Sequence, residues 1–173
     1  DVYGATDLFN FGWGHGTTTE RWNYLISPKL FMNTTFAYSD YNYNIGTPDD
    51  EIAPFNWDSR IRNYVGKTDF TYYYDLRHKL NFGAEATYYK FNPGVISGIF
   101  EAELQAEYAL EPAVYVEDEW NVTEKLTVLS GLRYSWFYNL GSRTVQLYGE
   151  GGSINQDNVI GKQTFGRGEF IQK

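Results

Sequence analysis

The stretch VTEKLTVLSGLRY, residues 122–134, has two relatives within the same chain: ISPKLFMNTTFAY at 26–38 and LRHKLNFGAEATY at 76–88. Each contains a Lys-Leu pair, and in each a tyrosine stands nine places after the lysine, at Tyr38, Tyr88 and Tyr134. A fixed distance kept three times asks for a physical cause.

Alternation supplies the first part of it. Successive side chains of a strand point to opposite faces, so every second residue shares a face. Counted from the lysines, one face reads Leu30, Met32, Thr34, Phe36, Tyr38, then Leu80, Phe82, Ala84, Ala86, Tyr88, then Leu126, Val128, Ser130, Leu132, Tyr134. The other face carries Asn33 and Thr35, Gly83 and Glu85, Gly131 and Arg133. The residues before the lysines mirror this, with Tyr24, Tyr74 and Trp120 five places upstream and polar residues between. Each copy therefore reads as a hairpin with one apolar and one polar face, turning at SPK (27–29), RHK (77–79) and TEK (123–125).

An aromatic-rich β-sandwich would share that alternation. The placement of the aromatics separates the two architectures, because they mark both ends of the apolar face. Leu30 to Tyr38 is eight steps, about 26 Å along a strand or about 20 Å of height at a tilt near 40°. That approaches the roughly 25 Å apolar band of a membrane barrel with an aromatic girdle at each edge. On this reading Trp22, Tyr24, Leu30, Phe36, Tyr38, Phe70, Tyr72, Leu80, Phe82, Tyr88, Val116, Trp120, Leu132, Tyr134 and Trp136 face lipid. Arg21, Asn33, Asp69, Glu85, Glu117, Glu119 and Arg133 face a lumen. Asp118 breaks the pattern by falling on the lipid side, which calls for a bulge or a partner. The connections at the other end read as long, about 44–60, 93–111 and 141 onward, and short turns opposite long loops is the asymmetry of outer-membrane barrels.

Composition agrees. The chain has 173 residues, 16 tyrosines and no cysteine, so it holds no disulfide frame and no thiolate metal site. A net charge of −8 argues against nucleic acid as a partner. No basic start followed by an apolar run marks a signal peptide in DVYGATDLFN.

The run AVYVEDEWNVTEKLTVLSGLRYSWF, residues 113–137, resembles the barrel of TonB-dependent outer-membrane receptors. Tyr115, Asp118 and Trp120 correspond to a strand of the type Y-x-x-D-x-W, Lys125-Leu126 to the short turn, and Gly131-Leu132-Arg133-Tyr134 to the following strand. RWNYLISPKLFMNTTFAYSDYNY and YYKFNPG are similar to barrel strands of the same family, and the likeness covers roughly residues 17–140. It implies an all-β, antiparallel, meandering transmembrane barrel of 22 strands, with a plug domain inside it and a segment that engages an inner-membrane energy transducer. The chain shows about six strands and neither of the other two parts, so residues 1–173 are expected to be one stretch of a single larger barrel domain. The alternative is a complete eight-strand barrel with a structural or adhesive role, using weaker strands near DLFNFGW and TVQLYGE.

The resemblance implies import of a scarce small molecule, glycan or peptide in the outer membrane, powered by a TonB-type transducer and with room for a surface lipoprotein. The candidate ligand contacts are the aromatics Tyr43, Phe55, Trp57 and Phe91 and the acids Asp49, Asp50 and Asp58, all assigned to the long connections. Aromatic faces stack on sugars or macrocycles, and carboxylates bind polyols or cations. His15 and His78 read as solvated turn residues at opposite ends of the barrel. The acids Glu101, Glu103, Glu107 and Glu111 read as a solvated exterior, and 99–110 as either a short helical turn or an early start of the next strand. No Ser-His-Asp arrangement, cofactor motif or metal-ligand spacing appears, so neither an enzyme nor a cofactor is expected.

Overall fold

The computed structural model describes residues 10–47, 55–98, 102–149 and 158–171. They form no α-helix. Six long strands meander in one antiparallel sheet: β1 (Asn10–Ser27), β2 (Leu30–Gly46), β3 (Phe55–Tyr73), β4 (His78–Gly98), β6 (Glu107–Thr123) and β7 (Leu126–Ser135). The two-residue β5 (Ala102–Glu103) pairs with β4, and β8 (Tyr138–Leu140) pairs with β6. A separate hairpin of β9 (Arg143–Tyr148) and β10 (Val159–Phe165) follows. The sheet is open among the described residues, and β1 and β7 are its edges. DLFNFGW is no separate strand, since β1 already begins at Asn10, and TVQLYGE pairs within its own hairpin rather than closing the sheet. The eight-strand alternative is therefore not supported.

The register makes the two expected faces continuous across the sheet. Between the turns and the Gly94 bulge, even residues meet even residues: Tyr24 with Met32, Leu30 with Tyr72, Phe82 with Val116, Val116 with Leu132. Parity slips beside the turns, as at Ser27 with Leu30, and above the bulge, as at Trp57 with Ile96. Odd residues likewise meet odd ones, as in Asn33 with Asp69, Asp69 with Gly83 and Tyr115 with Arg133. At the short-turn end the even face carries Trp22–Tyr24, Tyr72–Tyr74 and Phe70 stacked on Phe82 at 5.2 Å. Eight residues up β3, Tyr64 lies between Tyr38 at 5.0 Å and Tyr88 at 6.1 Å, and Tyr88 in turn meets Tyr108 at 6.2 Å. This tyrosine row and the aromatics below it bound an apolar band, and the lysine-to-tyrosine spacing spans that band on β2 and β4. Tyr134 stands opposite Val114 and so level with Ala84, four residues short of the row, where Tyr138 takes the corresponding place.

Above the tyrosine row the faces exchange character. The even face turns polar with Asp40, Asn42, Asn44, Asn56, Asp58, Arg60, Arg62, Lys90 and Asn92. The odd face turns aromatic with Tyr41, Tyr43, Trp57 and Phe91. The pleat is unbroken through the change, so the same strands carry both patterns, as expected of strands that emerge from an apolar layer into water. This is also why the strands run further than their composition suggests. The regions read as long connections are strand to Gly46, again from Phe55, and again to Gly98, because polar and aromatic residues keep alternating there. At 107–110 the chain is likewise strand and not a helical turn.

Two hairpin turns sit where expected. Ser27 and Thr123 each accept the backbone N–H two residues on, at 3.4 and 3.3 Å, around Pro28-Lys29 and Glu124-Lys125. The middle turn is displaced from 77–79 to 75–77, since Lys79 already pairs with Tyr73 and the Tyr74 N–H donates to the His78 carbonyl at 3.2 Å. Asp75 causes the shift: its carboxylate accepts the N–H groups of Arg77 and His78, both at 2.7 Å. The displacement is an even number of residues, so the faces stay as read, and Leu76 becomes the fully exposed tip.

His78 is consequently the first residue of β4 rather than a solvated turn residue. Its ring stacks on Trp120 with centroids 5.6 Å apart, and its Nδ1 lies 2.8 Å from Asp118. That is the partner Asp118 required on the apolar face. His15 also lies in a strand, β1, bonded to Ser39 at 3.0 Å and Thr17 at 3.1 Å.

One break in the ladder has a local cause. β7 and β8 hold the same register against β6, with Ala113 opposite Ser135 and Leu110 opposite Tyr138. Between them Trp136 donates to the Pro112 carbonyl at 2.9 Å, but Pro112 has no N–H to return the bond.

Two predictions test this architecture. Single tryptophans placed as Phe36→Trp and Thr35→Trp, with the native tryptophans replaced by Phe, should differ sharply in quenching by brominated lipid, strongly at 36 and weakly at 35; equal quenching contradicts the face assignment. The Asp75 carboxyl is held below its ordinary value by the two backbone N–H groups it accepts. Its stabilisation of the turn is therefore complete at neutral pH and is lost as pH falls through that lowered value. Hydrogen-exchange protection of the Arg77 and His78 amides should fall in Asp75→Ala at neutral pH, and in the native turn only under acid conditions.

Candidate functional site

The odd face divides into two zones along the strands. Its lower zone is a lattice of paired charges. Lys79 meets Glu119 at 2.6 Å, Asn81 donates to Glu117 at 3.2 Å, and Lys67 meets Asp69 at 3.1 Å. The Tyr115 hydroxyl donates to Asp69 across β4, over Gly83. Arg133 meets Glu85 at 3.1 Å, and its guanidinium and the Lys67 ammonium both lie over the Tyr115 ring, at 5.7 and 5.5 Å. Glu111 accepts the Tyr89 hydroxyl at 2.9 Å, and Arg143 meets Glu107 at 2.6 Å, which ties the β9–β10 hairpin to β6. The residues expected on the lumen side, Asn33, Asp69, Glu85, Glu117, Glu119 and Arg133, are the members or neighbours of this lattice, and Arg21 joins their face opposite Thr35.

The upper zone is aromatic. Tyr43 meets Trp57 edge-on at 5.5 Å, Tyr41 lies 6.4 Å from Tyr43, and His15 lies 6.3 Å from Tyr41. Phe11 and Trp13 extend the surface along β1, 5.3 Å apart and well exposed. Trp57 is pinned, because its indole N–H donates to the Pro93 carbonyl at 2.7 Å. That contact depends on a bulge in β4, where Asp58 pairs with Val95 but Arg60 with Asn92. Gly94 sits in the bulge at φ +103°, and a Cβ there would collide with the Asp58 carbonyl. The bulge turns the Pro93 carbonyl toward the indole, and Ser59 secures the other side by donating to the Asn92 carbonyl at 3.0 Å.

Of the candidate contacts named from sequence, the register puts Tyr43, Phe55, Trp57 and Phe91 on this one face. They stand on strands rather than loops. Asp58 stands on the opposite face, held by Asn44 at 2.8 Å and Asn56 at 2.6 Å. Asp49 and Asp50 lie outside the described residues, as does Glu101. Tyr41, His15, Trp13 and Phe11 belong to the surface and were missed. The signal for them was present in the continued odd-numbered spacing of Tyr41 and Tyr43. Among the described residues no group of three or more His, Asp or Glu side chains is placed to hold a metal ion.

The surface can stack flat or ring-shaped ligands and, through the tyrosine hydroxyls and His15, exchange hydrogen bonds with them.

Comparison with characterised proteins returns no match, and comparison with solved structures returns none. A family model described as TonB dependent receptor-like, beta-barrel, matches residues 1–162. With that match covering nearly the whole chain, and with the open antiparallel sheet bearing one apolar band between aromatic rows, the chain belongs to the TonB-dependent receptor β-barrel family.

Proposed function

We propose that this chain is part of the wall of an outer-membrane receptor that captures a scarce solute and imports it with energy from a TonB-type transducer. In this reading the even face meets lipid, the odd face lines the lumen, and the short turns point to the periplasm. The sheet is completed into a larger barrel by further strands, and the plug and transducer-binding segment belong to other parts of the receptor. A surface lipoprotein over the long connections is compatible with this arrangement.

The observation that carries the proposal is the exchange of faces at the tyrosine row. Above the membrane boundary a wall with only a structural duty gains nothing from moving its aromatics inward. Here Tyr41, Tyr43, Trp57 and Phe91 share the odd face at that level, with Trp57 fixed by a hydrogen bond. A rigid aromatic anchor loses little entropy on binding, which favours capture at low concentration. The ligand class that fits is a small molecule, glycan or peptide presenting a ring face. Asp49 and Asp50 remain proposed contacts for its polar groups, while Asp58 serves the outer side.

Uptake of ferric siderophores, cobalamin, oligosaccharides and peptides by cells carrying the full-length receptor, with and without the transducer, tests this reading. One ligand class should require the transducer. Trp57→Ala should lower its uptake at sub-saturating concentration by about tenfold, as expected for one central aromatic contact. Asp58→Asn should leave it unchanged. Import that persists in full without the transducer would refute the energised mechanism.

A further inference from the structure

Directly above the tyrosine row, the even face carries an excess of positive charge that the import reading does not use. The register lays it out as a grid. One row runs Asp40, Arg62, Lys90, Tyr108, and the next row up runs Asn42, Arg60, Asn92. Arg62 and Lys90 are thus directly opposed cations on neighbouring strands, an arrangement that costs stability unless an anion lies between or above them.

The two nearby carboxylates do not meet that need. Asp58, two residues from Arg60 on the same face, is held by Asn44 and Asn56. Asp40 accepts the Tyr38 hydroxyl at 2.8 Å and faces both arginines, Arg60 Nε and Arg62 Nε each at 3.2 Å. Both guanidinium groups engage it through Nε, so their terminal N–H groups remain free to donate elsewhere. Asp40 in effect orients two forks outward. Lys90 has no carboxylate partner among the described residues, and its ammonium lies over the Tyr108 ring at 5.9 Å. Arg60, Arg62, Lys90 and Asn92 together line a cleft of about 110 Å³. Three cations against Asp40 and Asp58 leave a net charge of about +1, on a chain whose total is −8.

We infer that this cleft binds the phosphate group of an anionic lipid headgroup in the outward leaflet, through Arg60, Arg62, Lys90 and the Asn92 side chain. Guanidinium forks match phosphate oxygens two at a time, and an ammonium adds a point charge. The source is a lipid and not a free anion because of where the cleft sits. It opens on the face of the apolar band, immediately above Tyr64, Tyr88 and Leu110, so a headgroup held there lays its acyl chains against Phe36, Ala86 and Pro112 below. The inference rests on the proposed lipid-facing orientation of the even face.

The test uses the full-length receptor in phosphatidylcholine nanodiscs with and without phosphatidic acid, with bound lipid counted by native mass spectrometry. The native protein should retain phosphatidic acid in preference to phosphatidylcholine. Lys90→Gln, which breaks no ion pair, should weaken that retention by about tenfold, as should Arg60→Gln with Arg62→Gln. Lys125→Gln, at the opposite rim, should retain it as the native protein does. Heat-modifiable migration on gels checks that each variant is folded. Equal retention by native protein and Lys90→Gln, or no preference for phosphatidic acid, overturns the inference. Displacement by inorganic phosphate at equal concentration overturns the lipid source in favour of a free-anion site. If Phe36→Trp is not quenched by brominated lipid, the orientation itself is wrong, and that failure is separate from loss of the phosphate preference.

Discussion

Inside a bilayer no water is available to satisfy a backbone N–H or C=O, so each must find its partner within the sheet. That constraint governs this molecule. It requires long strands in unbroken register, and β1 to β4 pair almost residue by residue over 17 to 21 positions each. It also explains where irregularity is tolerated. The Gly94 bulge lies above the tyrosine row, and the small bulges at Leu25/Ser27 and Asn121/Thr123 lie beside the short turns. Pro112 is the exception, and the chain there loses a ladder bond and splits one strand into β7 and β8.

With the backbone so constrained, side-chain polarity is left to record what each face touches. Within the band the even face is apolar apart from Glu20 opposite Phe36 and the Asp118–His78 pair, and the odd face holds ion pairs. Beyond the band the even face is polar and the odd face gathers Tyr41, Tyr43 and Trp57. The tyrosine row marks the height at which this happens, and the same row carries two consequences, an aromatic surface on one side and a cationic cleft on the other. Both follow from a single pleat passing through two different solvents.

Much of this was legible in the sequence because period-2 alternation survives any uncertainty about where a strand ends. The two faces, the terminal turns and the odd placement of Asp118 could all be read from spacing. The strand ends could not. Asn42, Asn44, Asn56 and Asp58 are the residue types that usually mark loops, and only their alternation with aromatics identifies them as strand. The middle turn was misplaced because the repeat suggested the lysine as its landmark, whereas Asp75 captures two backbone N–H groups and closes the turn earlier. His78 was passed over for the same reason: read as part of a turn, it could not be recognised as the neighbour of Asp118. The split of Asp58 from the aromatics also follows from parity, once it is known to stand in β3.

The charge lattice on the odd face has a mechanical side. Lys79–Glu119 and Asn81–Glu117 bridge β4 to β6, Arg133–Glu85 bridges β7 to β4, and Tyr115 reaches from β6 to Asp69 on β3. Sliding β4 past β6 by one pleat repeat would separate the first two pairs together and drag the other two out of line. The wall therefore resists shear as a plate does, while Lys67, Lys79, Arg133 and Arg143 are each matched by an acid of the same wall and Glu111 and Glu117 leave it with a negative excess. A rigid surface with these cations occupied by its own acids offers none of them to a neighbouring body, and keeps its own shape while that body is pulled.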